Sequence, residues 1–174
     1  MEKIKNNIKE NSAIYLVLLA VLVIFFIITF MNKSGANLPP LDTKMFNVVT
    51  TENVDKLFET NSAKMLIIGS KTCSATKSFI PHLQISLGIE HYTINYLELT
   101  EENPESDSYK NFVSKLDIPY TLDNEEKELK EYMGMTPMII IIKNKKVVYG
   151  SIGQVDQDYL KRLIDTYGVT YEKS

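Results

Sequence analysis

The sequence has one cysteine in 174 residues, no tryptophan and two histidines. A single thiol excludes an intramolecular disulfide, so the fold must rest on its apolar core. It also leaves no second sulfur to resolve a mixed disulfide, which excludes a self-contained dithiol cycle. His82 and His91 have no cysteine or carboxylate at ligand spacing, so no metal set is expected and both read as surface or core histidines. The acids Glu98, Glu101, Glu102, Glu105 and Asp107 crowd together but lack the alternating spacing and central glycine of a calcium loop, and they read as a solvated turn. No glycine-rich phosphate loop, Ser/His/Asp pattern, repeat or aromatic-interleaved basic patch occurs, and no cofactor is expected. Net charge is also small, at −3. Residues 1–31 contribute +1, from three lysines and two glutamates, which leaves −4 on the remainder and argues against a nucleic-acid partner.

One long apolar run is present. Ala13 to Met31 carries no charge, and at about 1.5 Å per residue it extends about 28 Å, close to the thickness of bilayer hydrocarbon. Lys3, Lys5 and Lys9 precede it, so the N-terminus is expected to stay cytoplasmic and the rest to face outwards. A cleaved signal peptide shares this layout, but its apolar core is usually about 7 to 15 residues long and ends at an Ala-x-Ala-like site. The favoured reading is an uncleaved single-pass anchor in the cell membrane; under either reading the domain is exported. The chain then divides into a cytoplasmic terminus (1–12), a transmembrane anchor (13–31), a linker with Gly35 and Pro39-Pro40 (32–44) and a domain (45–174) with an insertion at about 117–133.

Within the domain, Phe46–Val49 reads as a strand, and Asn53–Thr60 as a helix with Val54, Leu57 and Phe58 on one face. Lys64–Gly69 is a strand covered on both faces. Ser74–Leu87 is a helix facing the core through Phe79, Leu83 and Leu87, with a kink at Pro81. A third strand over Tyr92–Leu99, loosely alternating, and a helix over Ser106–Leu116 follow. In the insertion, Asp123 can cap a helix in which Glu126 and Lys130 pair at i, i+4. Met138–Ile142 is a central strand; a turn at 143–146, a strand over Val147–Tyr149 and a helix near Asp156–Tyr167 complete an α/β sandwich with a mixed sheet.

The chemistry centres on Thr72-Cys73-Ser74-Ala75-Thr76-Lys77, where a strand turns into a helix. Backbone N–H groups at a helix start lack intrahelical partners and carry partial positive charge, which biases a sulfur there towards thiolate. Lys71 and Lys77 are near in sequence, and the Thr76 hydroxyl at i+3 can donate to the sulfur.

At these residues the chain resembles the thioredoxin superfamily. That family carries Cys-x-x-Cys-Lys at this turn and a proline eight residues after the first cysteine; here Lys77 and Pro81 match, and Thr76 replaces the second cysteine. The acidic Asn-Pro segment after the third strand is matched by Glu102-Asn103-Pro104, and the cis-proline before a buried strand by Thr136-Pro137. The resemblance covers roughly residues 45 to 168. It implies a thioredoxin-like fold, a central mixed β-sheet flanked by helices, with Cys73, Thr76 and Lys77 as catalytic residues and Thr136 and Pro137 binding the substrate backbone. Gly69 and Thr72 replace the family's tryptophans, and Ile67 its buried aspartate. In general shape the chain is similar to bacterial bacteriocin-transport accessory proteins. Three states of the site remain open: a monothiol acting on exported proteins or peptides with an outside thiol's help, a non-catalytic adaptor in a membrane or secretion assembly, and an inert buried cysteine.

Overall fold

Apolar runs too continuous to leave a face in water dictate the central strands. The computed structural model describes residues 46–88 and 94–169. Strands β1 (Phe46–Val49), β2 (Lys64–Gly69), β3 (Ile94–Glu98), β4 (Pro119–Leu122), β5 (Glu125–Glu128), β6 (Met138–Lys143) and β7 (Lys146–Ile152) form two sheets. The main sheet has the order β1-β3-β2-β6-β7, and β4-β5 is a separate hairpin. Strands β1, β3 and β2 run parallel, whereas β6 pairs antiparallel with β2 and β7 antiparallel with β6. Helices α1 (Ser74–Gly88), α2 (Asp107–Ser114) and α3 (Gln157–Tyr167) and the short 3₁₀ segments Val54–Phe58, Leu99–Glu101 and Leu129–Tyr132 complete the element order. The sheet is mixed and flanked by helices, as the resemblance implies.

The pleat sends alternate side chains of one strand into two cores. Ile139 and Ile141 of β6 join Phe79, Ile80 and Leu83 of α1 and Leu160 and Leu163 of α3 on one face. Met138, Ile140 and Ile142 join Leu97, Phe112, Leu116 and Leu129 on the other. Helix α3 starts at Asp156, whose carboxylate accepts from Tyr159 N at 2.6 Å, and α2 at Ser106, whose hydroxyl accepts from Tyr109 N at 3.2 Å.

Four elements differ from the sequence expectation, the last strand running over Lys146–Ile152 rather than Val147–Tyr149. The 53–60 segment is a short 3₁₀ helix, Val54–Phe58, rather than a longer helix. Asn53 makes no side-chain cap; its Oδ1 accepts from Thr50 N at 2.9 Å instead, and five residues suffice to bury Val54, Leu57 and Phe58. Strand β3 is buried at every position rather than alternating, because it has strands on both edges and a core on each face.

The insertion is a hairpin, not a helix. Asp123 and Asn124 both take left-handed backbone angles, φ 51° and 66°, the turn that matches strand twist in a two-residue hairpin. Tyr120 and Leu122 alternate with exposed Pro119 and Thr121 along β4, and Lys130 pairs with Glu128 rather than Glu126. A 3₁₀ turn, Leu129–Tyr132, follows, and its Leu129 methyls lie over Gly150 of β7 where a Cβ would otherwise sit. Helical propensity in a charged run is worth a few tenths of a kcal/mol per residue, less than burying one leucine.

Among the described residues no helix is long and apolar enough to cross a membrane. The expected anchor at 13–31, the segments flanking it, His91 and the Leu87 side chain lie outside the described residues.

Candidate functional site at the Cys73 turn

Sheet topology brings the two motifs together. Gly69 at the end of β2 is in register with Glu98 at the end of β3, and Ile68 with Met138 at the start of β6. The ends of two parallel strands and the start of an antiparallel one therefore share one edge of the sheet. The chain leaves that edge through Ser70–Cys73 on one side and enters it through Thr136–Pro137 on the other. Cys73 Sγ lies 3.2 Å from the Thr136 carbonyl oxygen, although 63 residues separate them, and the Thr136–Pro137 peptide is cis. The β7–α3 loop packs alongside: Gly153 N donates to Pro137 O at 2.8 Å and Gln154 Nε2 to Ala75 O at 3.0 Å.

Hydrogen bonds fix the turn itself. Cys73 N donates to Ser70 O and Lys77 N to Cys73 O, both at 3.0 Å, the second opening α1. Thr76 is fully buried, and its hydroxyl accepts from Ser70 N at 3.3 Å. Burial pushes the half-buried Cys73 thiol up, but the hydroxyls of Thr136 and Thr76 and the N–H groups of Thr76 and Ala75 donate to the sulfur and outweigh it. The thiol is held below its ordinary value. The Thr136 carbonyl works in the opposite sense, since it can only accept from S–H.

No lysine is among the causes of that shift. Lys71 is exposed and turned to Glu101, Nζ to Oε1 at 2.7 Å, and Lys77 reaches the cysteine through its main-chain N–H. The structure thus gathers Cys73, Thr76, Thr136 and Pro137 at one point, with the Lys77 backbone in the first turn of the helix.

The acidic set is not a solvated turn throughout. Glu98 is 8% exposed, and its carboxylate receives four donors: Lys71 N at 3.0 Å from both oxygens, the Tyr96 hydroxyl at 2.9 Å, Thr100 N at 3.2 Å and the Thr100 hydroxyl. Burial raises its pKa, but the bonds from Thr100, Lys71 and Tyr96 prevail, and the group stays below the usual carboxylate value. Burial and the neighbouring carboxylate push the Tyr96 phenol far up. Glu102 accepts from Thr51 N at 3.2 Å and from the Thr51 hydroxyl. Glu101, Glu105 and Asp107 do lie outside, Glu105 paired with Lys110 at 3.0 Å. The one available signal was that Glu98 closes an apolar strand; a carboxylate there must be either solvated or fully hydrogen-bonded.

Gly69 has no room for a side chain. A Cβ there would stand 2.5 Å from Tyr96 Oη, 2.6 Å from Tyr96 Cε2 and 2.8 Å from Thr76 Cγ2. Tyr96, reaching in from β3, fills the space beneath the turn.

No family model and no curated protein sequence matches the chain. Among solved structures it is similar to a mutant thioredoxin from Halobacterium salinarum NRC-1, at 14% identity over 73% of this chain and 94% of that one, with a TM-score of 0.49.

Proposed function

We propose that this is a membrane-anchored, extracytoplasmic thioredoxin-like protein in which Cys73 carries monothiol thiol–disulfide exchange on exported proteins. The observation that supports it is the sulfur's position at the start of α1, 3.2 Å from Thr136 O and among donors that favour thiolate. The Cys73 thiolate attacks one sulfur of a substrate disulfide, forming a mixed disulfide and expelling the other sulfur as a thiolate. A low-molecular-weight thiol or a partner's cysteine then attacks that mixed disulfide as its thiolate, taking over the substrate sulfur and releasing Cys73 as thiolate. Thr76 cannot perform the second step, so the outside thiol is the reductant. Thr136 and Pro137 position the substrate backbone beside the sulfur, and Lys77 extends the first turn of the helix that carries it.

A second reading is a non-catalytic adaptor. It is favoured by the buried Thr76 at the resolving position and by Met135, which is 48% exposed beside Thr136 and offers an apolar contact to a partner. The deciding experiment is the alkylation rate of Cys73, the single thiol, against pH in the full-length protein. A midpoint below the ordinary thiol value of about 8.5, with mixed disulfides trapped on exported proteins and lost in Cys73→Ser, supports exchange. A midpoint at or above that value, with function kept in Cys73→Ser, supports the adaptor. Labelling of Cys73 in intact cells by a membrane-impermeant maleimide tests the location; labelling only after lysis would overturn it.

A further inference from the structure

We infer that Glu98 is the positioning residue of the Cys73 turn: reaching across from the neighbouring strand, it grips the Lys71 amide and so holds the sulfur among the Thr136 and Thr76 hydroxyls and the N–H groups of the helix start. The inference rests on the reading of Cys73 as a reactive thiol and adds a residue to that site which does not touch the sulfur.

Three features carry it. Glu98 is in register with Gly69, the last residue of β2, so its side chain projects at the point where the chain leaves the sheet. Both its oxygens lie 3.0 Å from Lys71 N, a main-chain donor that neither sheet nor helix would otherwise satisfy. The carboxylate is fixed in turn by Tyr96 and Thr100, so it is a rigid acceptor. Two anchors therefore hold the loop between β2 and α1: Thr76 takes Ser70 N and Glu98 takes Lys71 N. Cys73 follows two residues later. Charged and titratable groups around the clamp are Tyr96 on the same strand, Glu101 in the next turn, and Lys71 and Cys73 in the loop.

Reach and charge can be separated by substitution. Glu98→Asp keeps the charge but withdraws the oxygens by one methylene; Glu98→Gln keeps the reach and an acceptor but removes the charge. Alkylation of Cys73 in each full-length variant, with far-UV circular dichroism as a folding control, reads the outcome. A positioning role predicts that the Glu98→Asp midpoint rises by about half a pH unit, about threefold less thiolate at neutral pH, while Glu98→Gln stays at or below the wild-type midpoint. A role confined to stability would lower the melting temperature of both and move neither midpoint, which would overturn the inference. A wild-type midpoint at or above the ordinary thiol value would instead overturn the functional reading beneath it, so the two failures are distinguishable. Faster exchange of the Lys71 amide in Glu98→Asp than in Glu98→Gln is expected; equal protection in both would also count against the clamp.

Discussion

Gly69→Ala should destabilise the domain although it adds one methyl group to a strand, where replacing glycine ordinarily helps. Restricting the unfolded chain by that change is worth about 0.4–1 kcal/mol in favour of folding. Against this, the new Cβ would stand 2.5 Å from Tyr96 Oη, 2.6 Å from Cε2 and 2.8 Å from Thr76 Cγ2, closer than carbon and oxygen can approach. Tyr96 and Thr76 are both fully buried, so neither can swing into solvent. Overpacking of that kind costs about 1–3 kcal/mol, and these contacts belong in the upper half of that range. The net loss is then about 1–2 kcal/mol, or roughly 3–10 °C in Tm for a domain of this size. Urea denaturation followed by circular dichroism measures it, with the m-value unchanged. The disturbed residues are the ones beneath the thiol, so the Cys73 alkylation midpoint should move as well. In Gly69→Ala/Tyr96→Phe the hydroxyl contact is gone but the ring contact remains, so most of the loss should persist. A Gly69→Ala protein as stable as wild type would refute the close approach of β3 to this turn.

Other perturbations test other parts of the structure. Leu129→Ala removes a fully buried side chain seated over Gly150 and should lower stability by about 2–5 kcal/mol in urea titration; a loss below about 1 kcal/mol would mean the inserted segment is not docked there. Asn124→Val places a β-branched residue at φ 66° and should lose about 1–2 kcal/mol, whereas Asn124→Gly should be neutral or better, an order that a helix at this position would not produce. Glu98 has a lowered folded pKa, so its contribution to stability is complete above the unfolded value of about 4.3 and is lost as pH falls through the lower folded value. Stability of wild type measured from pH 6 to pH 2 should therefore show an acid limb below about 4.3 that is flatter in Glu98→Gln; superimposable limbs would contradict the buried, hydrogen-bonded carboxylate.

Much of the scaffold was legible because its signals are local. Lys64–Gly69 and Phe46–Val49 form strands with the expected bounds, and Met138–Lys143 extends one residue further. Leu160 and Leu163 face the core from the last helix. Continuous apolar runs and helical periodicity need only neighbouring residues to be recognised. The hairpin at 119–128 was not legible, since its charged residues favour a helix in isolation and only the seat for Leu129 on Gly150 and the left-handed pair Asp123–Asn124 decide otherwise. The same holds for Glu98: in sequence it is one acid among several, and only the register that sets it opposite Gly69 makes it an acceptor for Lys71 N.

One thiol at a strand-to-helix turn, with no second sulfur to complete a cycle, can be read from the residues alone. What surrounds that thiol depends on how distant strands pair. Parallel β2 and β3 and antiparallel β6 bring Thr136 to 3.2 Å from Cys73 and Glu98 beneath the preceding turn, contacts between segments dozens of residues apart. Local propensity cannot encode such contacts, because they depend on which strand ends meet at one edge of the sheet.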